Sequence, residues 1–414
     1  MREVKSEPET SGAVRLSPSP AAAGDEIDPG AYVSGAQGLP YEDDPTRLPK
    51  EMKARMLEAG VVVDNPGDRS GTFIQVDHTA VHSSVVQDGI ELLPVRAALE
   101  KYDWLSQYVW RAVDSGADRF TSSVEQSEHR SEYNGYFIRA LPGHKTILPL
   151  QTCLYLGTEG LAQNVHNIVI AEEGSELHII TGCTCGPHSE SGLHLGVSEF
   201  YVRRGATITF TMIHNWEPGI AVRPRTGIIV EEDGTFLSNY VIMKPVHDLQ
   251  MSPVAHCVGE GAIVRFSSVI AGFPGAKMDI GSSVYLEAPR SRTEIVSRVI
   301  ATGGEIVARG YIEGSAPDVK GHLECRGLIL GDGGVIHAVP ELRGTLAGID
   351  LSHEAAVGKI AEEEVQYLMA RGLTHDEATA TIVRGFLHVD IEGLPDALNA
   401  ELQRAIEANE KDLM

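Results

Sequence analysis

The sequence predicts a mainly β protein with a helical region at each end, and three features carry that expectation. Between Gly135 and about residue 350, short runs alternate apolar with polar side chains, as in Glu176-Leu-His-Ile-Ile and Thr207-Ile-Thr-Phe-Thr-Met-Ile, the pattern of strands. Charged turns ending at Gly174, Gly205, Gly234, Gly261 and Arg290 follow at steps of 31, 29, 27 and 29 residues. On either side of this region the apolar residues instead recur at helical spacings. A repeat of roughly 30 residues built only of strands suits a β-helix or a stack of similar rungs. An antiparallel sandwich, with turns about every 8 to 12 residues, stays open on periodicity alone.

Taken in order, residues 1–38 are rich in Ser, Pro, Ala, Gly and Glu, bury too little to offset ordering entropy, and read as a disordered lead. Residues 39–134 read as a mostly helical domain. Pro49 opens a helix carrying Met52 and Met56 and stopped at Gly60, and Pro94 opens a second stretch with Val95, Leu99, Trp104, Tyr108 and Val113. Residues 135–350 form the strand core. Residues 351–414 are expected to be helical, with clear signals from about Glu362. Val365, Leu368 and Met369 make one stripe ended by Gly372. Thr374 and Glu377 form a capping box before Ala378, Ile382 and Phe386, and Leu394, Leu398, Leu402 and Ile406 make a third stripe. These helices are expected to pack on the end of the strand stack and hide its open edge.

Composition limits the function. The 414 residues, 42% hydrophobic, can bury a sizeable core, and a net charge of −24 disfavours binding to nucleic acid or to anionic membranes. No run approaches the ~18 apolar residues of a membrane span, and Met-Arg-Glu-Val-Lys-Ser-Glu is not a secretory signal, so a cytoplasmic location is expected. Five cysteines, an odd number spread along the chain, argue for reduced thiols. There is no GxxxxGK[ST] loop, G-x-S-x-G elbow or H-E-x-x-H pair, so the chain is expected to be neither an ATPase nor another enzyme with these signatures.

The candidate chemistry lies in two places. Near the C-terminus, Cys325, His337, His353 and Glu354 set a thiol, two imidazoles and a carboxylate at the seam between strands and helical tail, a donor set suited to iron or zinc. Mixed ligation holds iron more weakly than four thiolates and eases release of a finished cluster. Further upstream, Cys183 and Cys185 precede His188 and His194, a C-x-C arrangement that is poor evidence for structural zinc. Cys153 and Cys257 read as small buried hydrophobes. The acidic turns at Glu172-Glu173 and Glu231-Glu232-Asp233 read as solvated corners.

The block Ser352-His-Glu-Ala-Ala-Val-Gly-Lys-Ile360, with Tyr367-Leu-Met-Ala-Arg-Gly-Leu and Ile382-Val-Arg-Gly-Phe386, resembles the C-terminal signature of the SufB/SufD family. Similarity extends through Leu48-Pro-Lys-Glu-Met, Gly135-Tyr-Phe-Ile-Arg, Leu148-Pro-Leu-Gln-Thr, Thr181-Gly-Cys-Thr and His214-Asn-Trp216, over most of the chain. The resemblance implies a right-handed β-helix core flanked by N-terminal and C-terminal α-helical domains. It also implies a scaffold on which iron-sulfur clusters are assembled and passed to apoproteins.

Within the family the chain looks like SufB. Cys325 and Glu354 fall on the cysteine and acidic residue implicated in holding the nascent cluster, with His353 and His337 as further candidates, and the cluster, bound transiently, is expected to be 4Fe-4S. Cys183 falls on the cysteine at which sulfur enters from a donor, but this chain reads Gly-Cys-Thr-Cys-Gly-Pro where most SufB sequences read Gly-Cys-Ser-Ala-Pro, which leaves Cys185 as a second acceptor. The multi-cysteine N-terminal motif of many bacterial SufB proteins is absent. That resembles shorter archaeal forms that work as homodimers with the SufC ATPase.

The tail helices, through Val365, Leu368, Met369, Ile382 and Phe386, are expected to bind SufC, and a second scaffold chain to pair through the β-helix. A reduced flavin takes part in some SufB complexes; no flavin motif stands in this sequence. The competing readings are a SufD-like adaptor for SufC without its own cluster, and a β-helix polysaccharide-active enzyme, the latter suggested by fold alone.

Overall fold

The charged corners are turns, and one residue in most of them takes the left-handed backbone: Gly174, Gly205, Asp233, Gly261, Arg290, Asp318 and Gly348 all have φ between 52° and 85°. Each corner returns the chain to begin the next coil directly above the last. Thr207 pairs with Thr235, Thr235 with Ile263, Ile263 with Arg292, Arg292 with Lys320 and Lys320 with Asp350, so a coil takes 28 to 30 residues. The solenoid expected from the turn spacing is therefore the observed architecture, and the sandwich is not.

The computed structural model describes residues 21–387 apart from 65, 131, 188, 331 and 332. It opens with α1 (Lys50–Glu58), β1 (Gly71–Val76), β2 (Thr79–Val85), β3 (Ile90–Pro94), α2 (Val95–Lys101) and α3 (Arg119–His129). The coils follow: β4 (Tyr136–Ala140), β5 (Leu150–Leu156), β6 (Ala162–Ala171), β7 (Glu176–Cys185), β8 (Gly192–Val202), β9 (Thr207–Asn215), β10 (Ile220–Val222), β11 (Arg225–Val230), β12 (Thr235–Ile242), β13 (Asp248–Met251), β14 (Val254–Cys257), β15 (Ile263–Gly272), β16 (Lys277–Ile280), β17 (Ser283–Leu286), β18 (Arg292–Ala301), β19 (Glu305–Gly314), β20 (Lys320–Ile329), β21 (Val335–Gly344) and β22 (Asp350–Lys359). The helices α4 (Glu362–Met369) and α5 (His375–Leu387) close the described chain.

Two sheets face each other. The first runs β2-β1-β5-β7-β9-β12-β15-β18-β20-β22, parallel except for the β1–β2 hairpin. The second takes the intervening strands from β3 through β4, β6 and β8, splits into paired short strands, and rejoins in β19 and then β21. Because side chains alternate along a strand, one set from each sheet points into the coil and stacks in register with its neighbours. The inward set makes one continuous core from Phe73 and Tyr136 to Leu323 and Cys325. Between coils the corners are linked by ion pairs, among them Arg139–Glu172 at 2.7 Å, Arg203–Glu231 and Arg204–Glu173.

The ends differ from expectation in four respects. Residues 39–134 are not mostly helical: β1, β2 and β3 lie among the helices and extend both sheets. Thr72, Ile74 and Val76 are β-branched, the run is buried throughout, and pairing with β5 outweighs the helical signals around it. The stretch from Pro94 is helical only to Lys101 and continues as a 3-10 turn through Tyr108.

The disordered lead fails for residues 21–38. Ala22 and Ala23 donate to Asp279 at 2.9 and 2.8 Å, Asp25 N–H donates to Asp248, and Ile27 is buried against α3. Residues 1–20 lie outside the described residues. The boundary at 351 also falls inside a strand: the Ala-rich run after Ser352 is β22, the last rung, held by ten register pairs to β20.

The tail helices lie along the outside of the first sheet, with Val383 and Leu387 packed on Ile213, Val241, Val269 and Ile300, instead of across the stack's end. The expected capping box is present: Glu377 N–H donates to Thr374 Oγ1 at 3.3 Å and Thr374 N–H to Glu377 Oε2 at 2.8 Å. The stripe from Leu394 to Ile406 lies outside the described residues.

Candidate functional site

Cys183 and Cys185 stand two residues apart at the end of β7 and so share its inward face. Cys183 is flanked in register by Leu154 on β5 and His214 on β9. Its burial is complete, and that desolvation, reinforced by Cys153, pushes the thiol well above its usual pKa. Burial raises Cys185 too, but Arg55 of α1 opposes the shift. The Arg55 guanidinium lies 3.9 Å from Cys185 Sγ, and its Nε donates to the Cys185 carbonyl at 3.2 Å.

Beyond Cys183 the interior becomes polar and aromatic. The Tyr240 hydroxyl meets His214 Nδ1 at 2.8 Å, and His194 Nδ1 meets Gln163 at 2.8 Å. The ring centres of His194 and His214 lie 5.1 and 5.5 Å from Trp216. Burial holds both imidazoles neutral, lowering His194 to about 3 and His214 well below its usual value. His214 Nε2 and Trp216 Nε1 are buried without a hydrogen-bond partner.

Cys325 lies five coils further on, in β20, between Ser297 and Ala355. It faces inward, and burial with a smaller contribution from Glu324 raises its thiol to about 11. The other residues expected beside it are dispersed. His353 pairs with Leu323 and so shares the inward face, two positions from Ala355. Glu354 pairs with Glu324 on the opposite face, 61% exposed, with its Oε1 3.9 Å from Arg326 Nη2. His337 pairs with Val307 in the other sheet and is exposed. The expected convergence of these four side chains is thus not formed within one chain, because strand alternation and the corner before β21 separate them. Among the described residues no group of three or more His, Cys, Asp or Glu is arranged to hold a metal ion. Of the loose Cys183, Cys185, His188, His194 arrangement, His188 lies outside the described residues.

Inside the solenoid, however, the two cysteine regions are joined. Thr152, Thr181, Met212, Tyr240, Ser268, Ser297 and Cys325 are successive register partners, a single inward column. Met212, Tyr240, Ser268 and Ser297 line an interior cavity. Arg55, His214, Trp216 and Tyr240 had carried no role in the sequence, although a step of 28 to 31 residues from Thr152 to Cys325 was a signal that could have found the column.

On the tail, Val365 is buried, Leu368, Ile382 and Phe386 are half-buried, and Met369 is 42% exposed beside an exposed Tyr367. The candidate partner face is therefore narrower than the five residues expected. No described helix is long and apolar enough to cross a membrane.

The chain is thus a two-sheet β-solenoid with mixed and helical ends that carries five free, buried cysteines. Residues 154–386 match the family model for the SUF system FeS cluster assembly, SufBD core domain. The chain is 46% identical over 392 residues to an iron-sulfur cluster assembly SufBD family protein of Methanothermobacter thermautotrophicus (strain Winter), covering 94% of this chain and 95% of that one. It is 49% identical over 362 residues to one from Archaeoglobus fulgidus, covering 87% and 96%, and 30% identical over 367 residues to one from Pyrococcus horikoshii, covering 87% and 81%. The chain belongs to the SufBD family.

Proposed function

We propose that this chain is a SufB-like scaffold, on which iron and donor-derived sulfur are built into a cluster, of the 4Fe-4S type, that is then passed to apoproteins. The observation that carries this reading is the interior column ending at Cys325, which links the Cys183 region to the one thiol near the open end of the solenoid. Sulfur enters at Cys183 and Cys185, and iron is anchored by the soft Cys325 thiolate. Since that thiol is neutral at pH 7, iron binding must release its proton. Glu354, His353 and His337 complete the ligand set when a second scaffold chain meets the open end, and SufC docks on α4 and α5 and supplies ATP hydrolysis.

The dispersal of the four ligands within one chain favours a second reading, a SufD-like adaptor that binds SufC and holds no cluster. Anaerobic reconstitution with iron and sulfide separates the two. A scaffold develops cluster absorbance and loses most of it in Cys325→Ser, with α-helix and β-sheet content unchanged. An adaptor co-purifies with SufC but stays colourless, and a Cys325→Ser chain that retains parental iron and acid-labile sulfide would overturn the scaffold reading.

A further inference from the structure

The scaffold reading assigns both Cys183 and Cys185 to sulfur entry without an order between them, although one acceptor thiol suffices. We infer that Cys185 is the entry thiol of a two-step relay, taking sulfane sulfur from a persulfide donor and handing it to Cys183, with Arg55 as the residue that positions and activates it. The inference rests on the sulfur-entry part of the proposed function and adds an order and a cation to it.

Three observations converge. Cys185 ends β7 at a corner of the coil, and the side chain over its sulfur is Arg55, itself 14% exposed, so one layer separates the thiol from solvent. Cys183 lies deeper, between Leu154 and His214, both at most 2% exposed. Arg55 is also held in place: it pairs with Glu58 at 3.3 Å and Glu217 at 3.0 Å and donates to the Asn215 carbonyl at 3.4 Å, fixing α1 across the ends of β7 and β9. A cation so fixed beside a thiol favours its thiolate, the form that attacks sulfur, and here works against burial and the Glu217 carboxylate, which keep the thiol above its usual value. Cys183 has no comparable cation among its register neighbours.

The third observation points to a ligand. His214 is the register partner of Cys183, and Trp216 directly follows Asn215, the last residue of β9 and the partner of Thr184, which puts it next to the Cys185 end of β7. Their Nε2 and Nε1 are buried without partners, at 2% and 1% exposure. In the tautomer in which the Tyr240 hydroxyl donates to His214 Nδ1, the Nε2 carries the proton and joins the Trp216 Nε1–H as a second donor beside the two thiols. Buried donors normally find acceptors, and the outer sulfur of a persulfide is one.

The chemistry balances without an added oxidant. The Cys185 thiolate attacks the outer sulfur of a donor R–S–SH, the donor S–S bond breaks, R–S⁻ leaves, and Cys185–S–SH forms. The Cys183 thiol then attacks that outer sulfur, giving Cys183–S–SH, while its proton passes to the departing Cys185 sulfur. Residues two apart on a strand are about 6.6 Å apart at Cα. An S–S bond extends the donor sulfur by about 2 Å toward its neighbour.

The test uses the full reduced chain, glutathione persulfide as donor, and time-resolved alkylation with peptide mass spectrometry to locate the sulfane sulfur. The expected order is Cys185 first and Cys183 second. Cys183→Ser should leave the sulfur on Cys185, and Cys185→Ser should slow loading of Cys183 at least tenfold. Cys185→Ala repeats the measurement with a smaller side chain in case serine unbalances the core. Arg55→Met should slow Cys185 loading and move the pH midpoint of its alkylation upward, which a merely structural role would not do. Parental loading of Cys183 in both Cys185 variants overturns the relay alone, and an unmoved midpoint in Arg55→Met removes Arg55 from it. If the unmutated chain takes sulfur on neither thiol, the sulfur-entry reading falls as well.

Discussion

At the scale of single residues, one buried imidazole outside the cysteine column is shifted toward its charged form. His166 is buried between Glu128, 2.7 Å from Nδ1, and Glu199, 2.9 Å from Nε2. Glu199 also accepts from the backbone of Trp110, Ala112 and Val113 and from the Tyr201 hydroxyl, so the imidazole anchors the segment before α3 to the second sheet. Burial alone would lower its pKa, but the two carboxylates outweigh it and raise it to about 9. A folded pKa above the unfolded value of about 6.5 contributes stability that is complete below pH 6.5 and lost as pH rises through 9. His166→Gln, which cannot take a charge, should therefore be destabilised by about 3 kcal/mol at pH 6, with the gap to the parent closing toward pH 10. Urea midpoints across that range check it, and a gap independent of pH would show that the imidazolium is not what holds the segment. Nothing in the sequence marked His166, because its partners lie 38 and 33 residues away and only the coil register brings them together.

At the scale of elements, the corners and the α1 contact constrain glycine in different ways. Gly205 has φ +63° and open space where a Cβ would go, so Gly205→Ala should cost only the left-handed penalty, about 1 kcal/mol. Gly182 points outward because Cys183 points inward, and there its missing Cβ lets α1 approach. An added Cβ would lie 2.5 Å from the Ala59 carbonyl oxygen and 2.7 Å from Val61 Cγ2. Gly182→Ala should cost about 2 to 3 kcal/mol through overpacking and should loosen α1. Equal costs in denaturant unfolding would mean that α1 yields freely and does not hold the β7 end. The turn glycines were legible in the sequence because each repeats with the coil. The strands β1 to β3 and β22 were not, because helical signals at Pro49 and Pro94 and the Ala-rich run after Ser352 spoke for local propensity, which register pairing then overrode.

At the scale of the whole molecule, the solenoid is closed by β1, β2 and β3 at one end, and among the described residues no strand covers the other. In the described residues β22 pairs only with β20 and β21 only with β19, so each presents one free edge. Val335, Leu342, Leu346 and Val357 near that edge are 36 to 52% exposed. Edge strands with apolar side chains are a surface that proteins cover, and a second copy paired about a twofold axis covers both at once. The proposed cluster ligands bear on the same end. Cys325 lies one strand from the edge and His353 and Glu354 lie on the edge strand itself, so in such a pair side chains kept apart in one chain would gain counterparts from the other. The sequence names Cys325, His353 and Glu354 as residue types, but not the faces and strands on which they stand, because those are set by the coil register. Val357→Lys places a charge on the inward side of the open rung, where the parent is 41% exposed and can accommodate it. It should turn a dimer into a monomer by light scattering while leaving the melting temperature within a few degrees. It should also lower reconstituted iron and sulfide several-fold although Cys325 is intact. A monomeric variant that retains the parental cluster would show that one chain suffices, and would move the missing ligands back inside the solenoid.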